Sequence, residues 1–183
     1  MRIIAGVAKG RRLGRPVVGT RPFMDRNREA LFSSLGSVVV GAAVLDLFAG
    51  TGSLGLEALS RGASRATFVE SNPAAVVVLR ENIAAVGLGG SVVSSDVFDF
   101  IRGNRDTFDL VFVDPPYELP LASALEVLEH LVDLLNPNAV VMLHRRVGEA
   151  EPEIPEHLDL TWHRQYGDAR IWRFTMRGEE TEQ

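Results

Sequence analysis

The chain has 183 residues, 46% of them hydrophobic, with 19 basic and 24 acidic side chains and a formal net charge of −5. That length suits one domain with at most a small appendage, and the composition excludes a disordered chain. No run approaches the roughly 18 consecutive apolar residues of a membrane helix. The first residues, Met1-Arg2-Ile3-Ile4-Ala5-Gly6, lack the long apolar stretch of a secretory signal. The absence of cysteine excludes a disulfide framework, a thiolate nucleophile and a cysteine-based zinc site. A cytoplasmic protein without membrane or metal is the simplest expectation.

Charge is unevenly distributed. Residues 1–28 hold eight Lys or Arg side chains against one acid, Asp25, a balance of +7 that leaves −12 for the rest. A basic arm on an acidic body suggests a nucleic-acid contact. Arg2, Lys9, Arg11, Arg12, Arg21, Arg26 and Arg28 are the candidate RNA-binding residues. A solvated basic face with no partner is the plainer alternative.

In chain order, residues 1–22 are broken by Gly6, Gly10, Gly14, Pro16, Gly19 and Pro22 around short apolar pieces, Ile3-Ile4 and Val17-Val18. That pattern predicts a strand or hairpin with loops. Asp25 is expected to cap a helix carrying Leu31, Phe32 and Leu35, with Gly36 as its stop. From Val44 the chain alternates strands and helices. The predicted strands are Val44–Phe48, Ala66–Val69, Ser91–Ser94, Leu110–Val113 and Ala139–Leu143. Helices are predicted up to Arg61 and after Asn72-Pro73. Another is marked by Leu121, Leu125, Leu128, Val132 and Leu135. This alternation implies a parallel sheet covered on both faces. Leu158–Tyr166 and Arg170–Met176, joined by Gly167-Asp168-Ala169, predict an antiparallel hairpin at one edge. The expected organisation is a basic extension over residues 1–36 and an α/β domain over 37–183.

Gly50, Gly52 and Gly55 follow the strand Val44–Phe48 in a G-x-G-x-x-G pattern, and Glu70 lies 20 residues beyond Gly50. A dinucleotide site is therefore one reading. Asp46 argues against it, because a carboxylate beside the glycine turn repels a pyrophosphate. It suits a phosphate-free ligand with a cationic end, such as S-adenosylmethionine. Glu70 could then accept from ribose hydroxyls and Asp96 from an adenine amine. The candidate cofactor-binding residues are Asp46, Phe48, Ala49, Gly50, Gly52, Glu70, Ser71, Asp96 and Val97.

Asp114-Pro115-Pro116-Tyr117 follows the strand Leu110–Val113. Two prolines stiffen the loop and remove two N–H donors, leaving the Asp114 carboxylate and the Pro115 carbonyl as acceptors. Paired acceptors can hold both N–H bonds of an exocyclic base amine and aim its lone pair at a methyl group. Tyr117 could stack on the base. Asp114, Pro115, Pro116 and Tyr117 are the candidate catalytic residues, and the chemistry needs no metal.

Asp114-Pro115-Pro116-Tyr117 resembles the (Asn/Asp)-Pro-Pro-(Tyr/Phe) motif of amino-methyltransferases. The string Leu45 to Gly62, with Arg2-Ile3-Ile4-Ala5-Gly6, Gly10-Arg11-Arg12-Leu13, Thr20-Arg21-Pro22 and Asp25 to Phe32, resembles the RsmD family over nearly the whole chain. The resemblance implies a class I S-adenosylmethionine-dependent methyltransferase fold, Rossmann-like, with a mostly parallel seven-stranded sheet, an antiparallel edge hairpin and a small N-terminal extension. It also implies formation of N2-methylguanosine in 16S ribosomal RNA, free or within a small-subunit assembly particle; a monomer is the expected state, although the sequence leaves it open. Phe23-Met24 depart from the small hydroxyl residues usual in the family. His144 stands where the fifth strand usually ends in Glu, and is expected to be structural with no catalytic role. The residues alone leave open a DNA adenine-N6 or cytosine-N4 methyltransferase and a non-catalytic RNA-binding module of ribosome assembly. The chain has no spare length for the target-recognition domain of the former, and simple binding has no use for the Asp-Pro-Pro-Tyr loop.

Overall fold

The computed structural model describes residues 1–15 and 25–178, with the side chains of Asp25 and Arg26 left out. Seven strands form one sheet: β1 (Ala43–Leu47), β2 (Arg65–Glu70), β3 (Ser91–Ser94), β4 (Phe108–Val113), β5 (Leu135–Arg146), β6 (Leu158–Tyr166) and β7 (Ala169–Met176). Their spatial order is β3-β2-β1-β4-β5-β7-β6. The first five run parallel, and β7 pairs antiparallel with both β5 and β6. This is the class I methyltransferase fold. Strand order reverses between β1 and β4, so the crevice beyond their carboxyl ends is the topological switch point where such sheets bind ligands.

The helices are α1 (Asp25–Leu35), α2 (Ser53–Ser60), α3 (Pro73–Val86), α4 (Val97–Gly103) and α5 (Leu121–His130). Asn72 caps α3, its side chain accepting from Ala74 N–H at 2.9 Å and Ala75 N–H at 3.3 Å, with Pro73 in the first turn. Gly87, at φ 66°, stops that helix in the left-handed conformation open to glycine. Alternate strand residues feed two cores. Leu45, Val111, Val141 and Leu143 join α4 and α5 on one face. Val44, Phe68, Phe112, Met142 and Ile171 meet Leu31, Phe32, Leu56 and Leu79 on the other.

Ile3, Ala8 and Leu13 belong to this second core, so the first part of the N-terminal extension packs on the α/β body. Among residues 1–15 it is a hairpin-like loop with a single antiparallel bridge, Arg2 to Arg12. Buried Glu57 of α2 anchors it, accepting from Ile4 N–H at 2.7 Å and Ala5 N–H at 3.0 Å. Gly6, at φ 80°, lies so close to α2 that a Cβ there would stand 1.7 Å from the Ser60 carbonyl oxygen. The predicted Val17-Val18 piece and Phe23-Met24 lie outside the described residues.

Several boundaries differ from the sequence reading. Asp25 is the first described residue of α1, and the side chain on which its expected cap rests lies outside the described residues. Leu121–Leu135 is not one helix. α5 stops at His130, a 3-10 turn covers Val132–Leu134, and Leu135 already belongs to β5. Leu125, Leu128 and Leu135 pack on one core, so their spacing read as a single helix, whereas Val132 is exposed. The short helix α4 went unpredicted, since seven residues give too little periodicity to see. Among the described residues no helix is long and apolar enough to cross a membrane.

Candidate active site

At the carboxyl end of β1 the chain leaves the sheet one residue earlier than predicted. Phe48 has φ 61°, which is strained for an aromatic side chain, followed by Gly50 at 54° and Gly52 at 77°. Hydrogen bonds over-determine the turn. Ala49 N–H donates to Val69 O at 3.0 Å, Gly52 N–H to Ala49 O at 2.7 Å and Gly50 N–H to Glu70 Oε2 at 2.8 Å. A Cβ on Gly52 would sit 2.4 Å from Leu79 Cδ1, and one on Gly55 would sit 2.4 Å from Phe68 Cε1. The second and third glycines of the pattern therefore let α2 lie against β2 and α3.

The acids line the same end of the sheet but differ in state. Asp46 is 1% exposed, and its Oδ2 accepts from Gly55 N–H at 2.9 Å. Burial raises its pKa well above the usual carboxylate range. The Gly55 bond opposes this in part, and the nearby charges of Asp114 and Glu70 add to it. A desolvated anion with two anionic neighbours fits a cationic group and not a phosphate. Glu70 fastens the glycine loop to β2, its Oε1 accepting from Asn72 N–H at 2.7 Å and its Oε2 from Gly50. Asp96 is exposed and caps α4 through Phe98 N–H at 2.8 Å. Val97 is buried in the core, leaving only its backbone to meet a ligand, and Ser71 is exposed between β2 and α3.

Across the switch point, β4 runs into Asp114-Pro115-Pro116-Tyr117. Asp114 Oδ1 lies 2.6 Å from His144 Nδ1, and His144 Nε2 lies 3.4 Å from the Tyr117 hydroxyl. His144, expected to be structural, is delivered by β5 against the proposed catalytic carboxylate. Its neighbour Arg145 points to the opposite face. Arg145 is 1% exposed, donates to Pro116 O at 3.3 Å and Leu119 O at 2.7 Å, and is held by both oxygens of Glu149 at 2.8 Å. Proline alone does not fix the loop. Two consecutive β5 side chains grip it from opposite sides.

Of the candidate RNA contacts, Arg2, Lys9, Arg11 and Arg12 are exposed. Arg11 also donates to the Val86 carbonyl at the end of α3. Arg28 does not fit the role. It is 0% exposed, donates to the Arg2 carbonyl and lies 3.8 Å from Glu57 Oε2. A guanidinium beside a buried glutamate ties the extension to α2, and phosphate cannot reach it. Arg21 and the Arg26 side chain lie outside the described residues.

The family model described as Conserved hypothetical protein 95 matches residues 1–175. Ribosomal RNA small subunit methyltransferase D of Escherichia coli (strain K12) is 36% identical, over 98% of this chain and 92% of that protein. The chain belongs to the RsmD family. The protein of the same name from Haemophilus influenzae is 38% identical over 77% of this chain and 76% of its own. Among solved structures, yhhF from Escherichia coli superposes with a TM-score of 0.85 at 34% identity, covering 98% of this chain and 99% of that one.

Beyond the motifs, the sheet register places further side chains on the face that carries His144. His144 pairs with Ile171 and Ile171 with Arg164; Arg146 pairs with Ala169 and Ala169 with Tyr166. Alternation puts Arg146, Arg164 and Tyr166 on the same face as His144. The Arg164 guanidinium lies 5.6 Å from the Tyr166 ring centroid. No local motif could have flagged these residues, because antiparallel insertion of β7 between β5 and β6 brings them together.

Proposed function

We propose that this protein is a ribosomal RNA methyltransferase that transfers a methyl group from S-adenosylmethionine to the exocyclic N2 amine of a guanine in 16S ribosomal RNA. The observation that carries this reading is Asp114, on its doubly gripped proline loop, facing buried Asp46 across the switch point. When bound, S-adenosylmethionine supplies an electrophilic methyl group on a sulfonium. Asp46 attracts the ammonium end of that molecule, and the glycine turn lets the backbone approach it closely. Glu70 and Asp96 remain the proposed acceptors for ribose and adenine, in addition to the backbone bonds they already accept. Asp114 and the Pro115 carbonyl accept the two N–H bonds of the target amine. That fixes the lone pair in line with the methyl group, and positioning supplies most of the rate. Tyr117 offers a ring for the splayed base. Arg2, Lys9, Arg11 and Arg12, with Arg146 and Arg164 on the face that carries His144, supply positive charge for phosphates on an acidic body. The name of the Escherichia coli relative points to small-subunit RNA, and the exocyclic amine follows from the acceptor pair.

The test uses small subunits from a strain lacking this gene, incubated with the protein and labelled S-adenosylmethionine. Nucleoside analysis should show N2-methylguanosine at one site. Labelled N6-methyladenosine, or label only in DNA, overturns the substrate.

A further inference from the structure

We propose that His144 is a positioning residue for methyl transfer: it pins one oxygen of Asp114 so that the other faces the amine. The inference rests on the proposed function above. As a carboxylate, Asp114 only accepts hydrogen bonds, so the 2.6 Å contact makes His144 Nδ1 the donor. In a neutral ring Nε2 is then an acceptor, and it faces the Tyr117 hydroxyl at 3.4 Å. The ring tilts 57° to the tyrosine at a centroid distance of 5.8 Å. The His144 side chain is 10% exposed and Asp114 26%, so the pinned edge is sheltered while the carboxylate retains access to the crevice.

A free aspartate rotates between two equivalent orientations. Fastened at Oδ1, Asp114 presents Oδ2 in one direction. A neutral imidazole also leaves the negative charge on Asp114, opposite the nitrogen that becomes cationic. In the transfer the amine lone pair forms the N–C bond and the S–C bond breaks, its electron pair passing to sulfur. The methylated nitrogen then gives one proton to Asp114 Oδ2, which releases it to water. His144 touches neither reactant and acts through Asp114. Arg145 fixes the backbone of the same loop from the other face, so the side chain and the main chain are held separately.

Three variants separate positioning from packing. His144→Asn places an amide N–H near the Nδ1 position, His144→Gln places one near Nε2, and His144→Leu keeps bulk alone. Losing one hydrogen bond to a charged group should lower kcat by about 10- to 150-fold in His144→Leu and His144→Gln. S-adenosylmethionine Kd should be unchanged, and His144→Asn should recover most of kcat. Nitrogen-15 spectra of the wild type should show His144 protonated at Nδ1, a readout that holds even if His144→Leu fails to fold. An asparagine variant no better than leucine or glutamine, a loss confined to cofactor binding, or an unprotonated Nδ1 overturns the proposal. A wild type that makes no N2-methylguanosine removes the substrate reading, whereas an active wild type matched by His144→Leu removes this one.

Discussion

Replacing Asp46 by asparagine keeps its shape and removes its charge. The asparagine Oδ1 can still accept from Gly55 N–H, so the strand-to-helix turn should survive. The buried carboxylate has a raised pKa in the folded protein, chiefly from desolvation. Its contribution to stability is therefore fully present below the unfolded value, near pH 4, and is lost as pH rises through the folded value. Asp46→Asn should abolish that fall and melt no lower than wild type near neutral pH without cofactor. Cofactor binding should move the other way. Two unit charges 4 Å apart attract by about 4 kcal/mol at an effective dielectric of 20, before the cost of stripping water from the ligand ammonium. A hydrogen bond to a charged group nets about 1.5–3 kcal/mol, so the variant should bind S-adenosylmethionine about 10- to 150-fold more weakly. In wild type, binding should release a proton and tighten as pH rises through the raised pKa of Asp46. Titration calorimetry in buffers of different ionisation enthalpy reads both effects. Equal affinity in wild type and Asp46→Asn, or proton uptake on binding, would refute the argument that Asp46 meets a cation.

Gly52→Ala should lower Tm and weaken cofactor binding together, because its Cβ would stand 2.4 Å from Leu79 Cδ1 at φ 77°; a thermal melt and calorimetry check this. Asp114→Ala should cost at least ~100-fold in kcat, by analogy with removing one preorganised hydrogen-bond partner, while cofactor Kd stays put. Single-turnover methylation measures it. Tyr117→Phe should lose less activity than Tyr117→Ala, because stacking on the base needs the ring and not the hydroxyl. With about four phosphates neutralised by the arm, log K for single-stranded RNA should fall against log salt with a slope of roughly −3, and Lys9→Glu with Arg12→Glu should flatten it. Deleting residues 1–22 is a poorer test of RNA contact, because it strips Glu57 of its backbone donors and removes Ile3, Ala8 and Leu13 from the core.

Local chemistry was enough to read the five parallel strands, the glycine turn and the Asp-Pro-Pro-Tyr loop. Each depends on neighbours in sequence: apolar runs for buried strands, φ-positive turns for glycine, missing N–H groups for proline. The edge hairpin was legible for the same reason, since Gly167 separates two β-rich runs. What the sequence could not decide was which distant groups meet. Arg28 looked like the other arginines of the basic arm, yet helix α1 turns it into the core beside Glu57, where charge serves anchoring. Asp46 was legible as an acid near glycines, but its raised pKa follows from burial and from Asp114 and Glu70 arriving on other strands. His144 and Arg145 are adjacent in the chain and project to opposite faces of β5 because a strand alternates. Only the pairing of β5 with β4 sets one against the Asp114 carboxylate and the other under the Pro116 carbonyl. Sequence determines the repertoire of local conformations and charges, whereas their meetings depend on register across strands, a property that no short window contains.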